Sequence, residues 1–216
     1  MLDTTYLNLE HILNSCSKNA QSIIKKRLNL PDKVEILSTP DKILQALELR
    51  YNSYQQTPFK HHFSNPLKLL FSDADSTSII LGYYDTKSLD LKSKLLGTLS
   101  LDISSQLKSE KLGLELFELR KRGVSLAELH GLVIDKSVCR RAFKPLFHSM
   151  ELIGKELEVE SYVMVMREEL TKLYRNFDKI ETFKELDSFM GINIAQKALI
   201  YTPQQTQTYT NIGGEK

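Results

Sequence analysis

The sequence predicts a single α/β or α+β domain built around one mixed sheet. Three observations lead there. Helical periodicity comes first, an antiparallel meander follows, and the rest alternates strand, helix, strand, helix, strand, an order that packs helices on a sheet. The 216 residues are 41% hydrophobic, enough apolar material for one core of moderate size. Ser78 to Tyr84 (SIILGYY) and Tyr162 to Met166 (YVMVM) are dense in β-branched, aromatic and large apolar residues, as buried strands are.

The elements follow in order. Tyr6 to Asn29 has helical spacing, with Leu7, Leu9, Ile12, Leu13, Ile23, Ile24 and Leu28 on a broad face. Lys25, Lys26 and Arg27 fall in its last turn, where cations suit the dipole, and Pro31 ends it. Residues 1–33 form a helical extension ahead of the main domain. Val34 to Leu37 is a short strand. Thr39-Pro40-Asp41 opens a second helix, with Ile43, Leu44, Leu47 and Tyr51 on one face. Thr57 to Phe71, with Pro58, His61, His62, Asn65 and Pro66, reads as a mobile loop. Ser78 to Tyr84 and Leu95 to Ile103 pair as antiparallel strands across the polar turn Asp85 to Lys94. Ser104 to Gly123 is polar, with a helical stretch from Leu112 to Leu119. Ser125 to Ile134 is the central strand, and Arg141 to Glu156 the helix after it. Strand Tyr162 to Met166, helix Glu168 to Asn176 and strands within Lys179 to Phe183 and Ile192 to Tyr201 complete a main domain at 34–201. Residues 202–216, rich in Thr, Gln, Asn and Gly, read as a disordered tail.

Composition narrows the function classes. A net charge of +2 gives no overall field for nucleic acid. The two cysteines, Cys16 and Cys139, have no CxxC or metal-ligand spacing, and read as reduced thiols of a cytoplasmic protein. The N-terminus is too polar for a signal peptide, and no apolar run approaches the roughly 20 residues that span a bilayer. His61 and His62 are adjacent but lack a matching Cys, Asp or Glu cluster, so no metal site is expected.

The densest information lies in Ala127 to Met150, AELHGLVIDKSVCRRAFKPLFHSM. It reads as a buried strand, a basic turn and a helix, an arrangement that aims N–H groups and a positive dipole end at one point suited to a phosphate. Alternation on the strand places Ala127, Leu129, Gly131 and Val133 on one face and Glu128, His130 and Leu132 on the other. Glu128 or His130 can serve as a base directly or through water. Either can equally occupy a solvated strand end. Gly131 marks a bulge or a packing glycine. A bulge would free the N–H of Leu132 or Val133 to hold an oxyanion. Arg140, Arg141 and Lys144 can bind phosphate or an acidic partner, against the plainer reading of a solvated run.

Four places resemble the GNAT acyltransferase superfamily, and within it the branch of N-acyl amino acid synthases and autoinducer synthases. Leu49-Arg50-Tyr51-Asn52-Ser53-Tyr54 is similar to an LRYxVY signature. Asp73-Ala74-Asp75-Ser76-Thr77-Ser78 is similar to an acidic run before a strand. Leu96-Gly97-Thr98-Leu99-Ser100-Leu101 is similar to VGTxRL, with Ser100 where the family often has Arg. The fourth is Ala127 to Leu146 followed by Leu173-Tyr174-Arg175. The resemblance implies a GNAT-like, mostly antiparallel central sheet flanked by helices, with an extra N-terminal helix. It implies transfer of an acyl group, long chains included, from an acyl-phosphopantetheine thioester to an amine such as that of an amino acid. Glu128, His130 and Tyr174 would be catalytic, Tyr174 beside the leaving thiolate. Leu132, Val133, Arg140, Arg141 and Lys144 would hold the donor, and Arg50 with Tyr54 the acceptor carboxylate. The turn at Arg140–Pro145 lacks the family's glycines, and the chain has no Trp. Autoinducer-type synthases tend to share that glycine-poor turn and to take acyl carrier protein as donor, so carrier protein stands beside CoA here. Acetyl-CoA-dependent transfer, or a GNAT-like binding module without catalysis, are the alternatives. No permanently bound cofactor is expected.

Overall fold

A computed structural model of the chain describes residues 2–57, 60–62, 65–85, 93–111, 113–174, 180–186 and 196–203. The expected tail, apart from 202 and 203, lies outside them, as do Arg175, Asn176 and the middle of the turn after Tyr84. Helix α1 spans Leu2–Ile24, β1 Val34–Ile36 and α2 Pro40–Gln55. Strands β2 (Ser78–Tyr84) and β3 (Leu95–Asp102) follow, then two short helices, α3 (Lys108–Lys111) and α4 (Phe117–Lys121). Strand β4 (Leu126–Ile134), helix α5 (Cys139–Glu156), and strands β5 (Ser161–Arg167), β6 (Ile180–Leu186) and β7 (Gln196–Tyr201) complete the order. Among them lies a seven-stranded sheet in the order β1-β2-β3-β4-β5-β7-β6. Its one parallel pair among these is β4 with β5, joined through α5.

The sheet buries two unlike faces. Alternate residues of five strands (Ile79, Leu81, Leu99, Leu101, Ala127, Leu129, Tyr162, Met164, Leu199) meet Ala142, Phe143, Leu146, Phe147, Met150 and Ile153 of α5 in the largest apolar cluster. The opposite face carries two smaller clusters. One joins Leu9, Ile12 and Cys16 of α1 to Ile43, Ala46 and Leu47 of α2 and to Ile80 and Tyr84. The other joins Leu107, Leu114 and Leu116 to Leu126, Val163 and Ala198. Helix α1 feeds both sides: Ala20 and Ile23 reach the α5 cluster, and Lys26, just beyond its end, pairs with Glu156 at 3.0 Å.

Several expectations shift at element ends. Helix α1 stops at Ile24, so Lys25–Arg27 lie beyond its last turn, where Arg27 turns left-handed at φ 53°. The helix expected at Leu112–Leu119 is instead the pair α3 and α4. They are separated at Gly113, whose φ of +96° no helix continues through. Glu168–Tyr174 is a 3₁₀ helix. The stretch read as a mobile loop holds a 3₁₀ turn at Lys60–His62. Beyond it Leu67, Leu69 and Phe71 pack on the α1–α2 cluster, and the Leu70 N–H donates to the Leu47 carbonyl at 3.0 Å.

Gly154 of α5 is a seat for Tyr162. A Cβ there would lie 1.7 Å from the Tyr162 hydroxyl and 2.7 Å from Cζ. In an exposed helix Gly→Ala gains about 1 kcal/mol. Here overpacking reverses the sign, and Gly154→Ala is expected to lose roughly 1–3 kcal/mol in urea unfolding. A variant as stable as the parent would show that Tyr162 moves aside freely.

Candidate active site

Between the two smaller clusters the sheet face is polar. The register aligns Ser78, Asp102 and Glu128 across β2, β3 and β4, and Ile80, Ser100 and His130 one row on. Ser78, Ser100, Asp102 and Glu128 are each at most 3% exposed. Such a block is tolerable only if its members satisfy one another. They do so around the 3₁₀ turn Asp73–Thr77, which precedes β2.

Arg50 of α2 lies over this block, 2% exposed, on the same buried side of the helix as Ile43, Ala46 and Leu47. Its Nη1 donates to Asp75 Oδ1 at 2.7 Å and its Nη2 to Ser100 Oγ. The other Asp75 oxygen accepts the Ser72 N–H at 2.7 Å in a capping box. Burial works to raise the Asp75 pKa; the Arg50 charge and these bonds outweigh it and hold the carboxyl ionised below its ordinary range. Arg50, expected to hold an acceptor carboxylate, is thus found with a carboxylate of the chain itself. Its two Nη groups are committed inside the protein, because the acidic run supplies the carboxylate. Tyr54, one turn further along α2, is half-buried.

The bulge at Gly131 is real. Ser100 faces His130 and Thr98 faces Val133, so Leu99 opposes both Gly131 and Leu132. Gly131 has φ +61°, and a Cβ there would meet Arg50 Cζ at 2.6 Å and Nε at 2.8 Å. The extra residue reverses the alternation beyond it. Leu132 and Ile134 join the α5 face, not the face of Glu128 and His130 as simple alternation placed Leu132. β4 pairs with β5 only from Leu126 to Leu129. From His130 onward that edge of β4 pairs with no strand among the described residues.

Neither Glu128 nor His130 sits at a solvated strand end. Glu128 is 3% exposed, and its Oε2 accepts the Ser109 N–H at 2.7 Å. Burial raises its pKa and the facing Asp102 adds to the rise. The Ser109 bond and Lys108 oppose it without cancelling it. Sequence reasoning passed over Asp102, whose carboxylate accepts from Thr77 Oγ1 at 2.7 Å and the Ser104 N–H at 2.9 Å. Its place on the LGTLSLD strand, opposite Glu128, is a pairing no local motif announces.

Ser78 Oγ donates to the Ala74 carbonyl at 2.7 Å, which uses its one proton. Its 2.9 Å contact with His130 Nε2 therefore takes the imidazole as donor, leaving the lone pair on Nδ1. Burial is the first cause that lowers the His130 pKa, to about 4.

Tyr174 is 5% exposed, its ring edge-on to Phe143 at 5.1 Å and Phe147 at 5.9 Å. Burial pushes its pKa up, so the phenol stays protonated. Arg141 and Lys144 are exposed on α5; of Arg140 only the backbone, in the helix's first turn, is described. Just before α5, Asp135 Oδ1 accepts both the N–H of Ser137 at 2.9 Å and its hydroxyl at 2.6 Å. The described residues contain no group of three or more His, Cys, Asp or Glu arranged to hold a metal. No described helix is long and apolar enough to cross a membrane.

Comparison with known proteins agrees with this fold. The family model for N-acyl amino acid synthase FeeM matches residues 45–199. FeeM from uncultured soil microbes superposes with a TM-score of 0.58 at 15% identity, covering 80% of this chain and 91% of that one. The CoA-dependent acyl-homoserine lactone synthase BjaI gives 0.58 at 11% identity, covering 76% and 77%. Aminoglycoside 6'-acetyltransferase type Ii gives 0.50 at 12% identity, covering 80% and 99%. At these identities the likenesses establish the fold, which is GNAT-like. No curated protein sequence matches the chain.

The half-buried neutral imidazole of His130 sets a pH dependence of stability. An unfolded His titrates near about 6.5. A folded pKa of about 4 means that the unfolded chain binds the proton first as pH falls. Unfolding free energy should therefore drop between pH ~6.5 and ~4, by up to about 1.4 kcal/mol per unit. Asp75, Arg50, Lys108 and Asp102 face His130 and set the remaining slope. His130→Gln should flatten that window in pH-resolved urea titrations, and an unchanged slope would show the imidazole hydrated.

Proposed function

The chain belongs to the N-acyl amino acid synthase FeeM family, and we propose that this acyltransferase moves an acyl group from a phosphopantetheine thioester to the amine of an amino acid. One observation carries the reading. β4 leaves β5 beyond Leu129, at the Gly131 bulge, beside Glu128 and His130. The opening gives a flat thioester a backbone edge to lie along, with the N–H of Leu132 or Val133 offered to its carbonyl oxygen as charge develops there.

In this reading Glu128 takes the proton from the attacking amine, directly or through water. Its raised pKa brings it nearer the working pH, where a general base is most effective. His130, with Nδ1 unprotonated, is the second candidate for that proton. Attack forms the C–N bond, and collapse of the tetrahedral intermediate breaks the C–S bond. Tyr174, held protonated by burial, donates to the departing thiolate.

The donor we favour is acyl carrier protein. A bound pyrophosphate wants vacant N–H groups ahead of α5. Here the Asp135 carboxylate occupies the Ser137 N–H. Exposed Arg141 and Lys144 suit instead an acidic protein surface. Steady-state rates should favour long-chain acyl carrier protein over acetyl-CoA, and added salt should slow the carrier reaction, because exposed charges are screened over about 8 Å at physiological ionic strength. A preference for acetyl-CoA of about tenfold, some 1.4 kcal/mol in barrier, would move the chain to acetyl transfer.

Glu128→Gln keeps the shape and the acceptor for Ser109 and removes the base. We expect kcat to fall roughly 10² to 10⁴-fold at neutral pH. The loss should shrink at high pH, where more of the acceptor is already deprotonated. Unchanged kcat would leave Glu128 as the cap of the segment at Ser109 alone.

A further inference from the structure

We propose that α1 is a positioning element for acyl transfer, with Cys16 and Asn19 fixing the turn Asp73–Thr77 that seats Arg50 beneath the Gly131 bulge. The helix lies outside the segment the family model matches. Yet it reaches the site through two successive carbonyls. Cys16 Sγ donates to the Asp75 carbonyl at 2.8 Å, and Asn19 Nδ2 to the Ser76 carbonyl at 3.1 Å.

That turn connects four elements. Its Asp75 carboxylate holds Arg50 of α2, its Thr77 hydroxyl donates to Asp102 of β3, and its Ala74 carbonyl accepts from Ser78 of β2, the partner of His130 on β4. Arg50 touches Gly131 where a side chain would otherwise lie. Its Nε has no hydrogen-bond partner among the described residues. The guanidinium is therefore located by Asp75 and Ser100 and by contact with the bulge. A turn displaced by a few tenths of an ångström moves the Arg50 head, and with it the backbone that faces the thioester. Small misplacements of this kind are costly in rate while leaving substrate affinity largely intact.

The inference rests on the acyl-transfer reading, and the test separates the two. Cys16 is 1% exposed, and Ala and Ser are near-isosteric replacements. Serine keeps a donor for the Asp75 carbonyl and alanine does not. For packing alone a buried serine is no better than alanine. Cys16→Ala and Asn19→Ala should each lower kcat about tenfold with donor KM little changed, measured well below the unfolding temperature. Cys16→Ser should restore it. Hydrogen exchange of the 129–134 segment should quicken in both alanine variants and return to the parent rate in Cys16→Ser. If all three variants turn over like the parent and the 129–134 amides are unmoved, α1 only covers the core and the proposal is overturned. If the parent transfers no acyl group from either donor to any amino acid, the functional reading fails, and the exchange rates alone decide the role of α1.

Discussion

The buried pair of Arg50 and Asp75 is what the rest of the site hangs on. Each is at most 2% exposed, and each is held by partners from different elements. An ion pair so placed contributes little net stability, because desolvation offsets most of its attraction. Removing one partner is another matter: the stranded charge costs about 3–5 kcal/mol. The pair therefore acts less as glue than as a constraint. α2, the turn before β2 and the β4 bulge can be assembled in one relative arrangement only.

The same constraint explains why one sheet face is divided. Apolar clusters flank a polar block on the side of α2, while the α5 side is continuous. A continuous apolar face on both sides would bury more surface, at about 25 cal/mol per Å². The chain forgoes that in the middle of the sheet, and such local breaches of a core pattern are where function is found. At Gly131 two demands coincide: a left-handed φ and a guanidinium in the space of a side chain. Only glycine meets both.

Much of this was legible in the sequence. Strand β2 falls at its expected residues because SIILGYY has no competing period, and β4 and α5 differ from expectation by one or two positions. The bulge was foreshadowed by a glycine inside an apolar strand. What escaped was everything set by pairing between distant residues. Asp102 faces Glu128 through a register, and Arg50 is buried by an aspartate 25 positions away. A helix read alone makes Arg50 a surface residue. The flip of Leu132 onto the α5 face follows from one extra residue, which period-two reasoning carries forward wrongly. The failure over Leu112–Leu119 has a local cause, since Gly113 and its positive φ break the helix that the apolar spacing suggests.

The contact of Cys16 with Asp75 spans 59 residues of chain. Helix α1 is synthesised before the elements it packs on, and the surface that covers its apolar stripe is made only when β2 has emerged. The parallel partner of β4 arrives later still, after the whole of α5. Parallel pairing is intrinsically slow, since its loop closure must precede any gain in contacts. The nascent chain thus carries an exposed amphipathic helix until β2 emerges. Chaperone demand and aggregation during expression should concentrate on that interval, and on α1 rather than on β4.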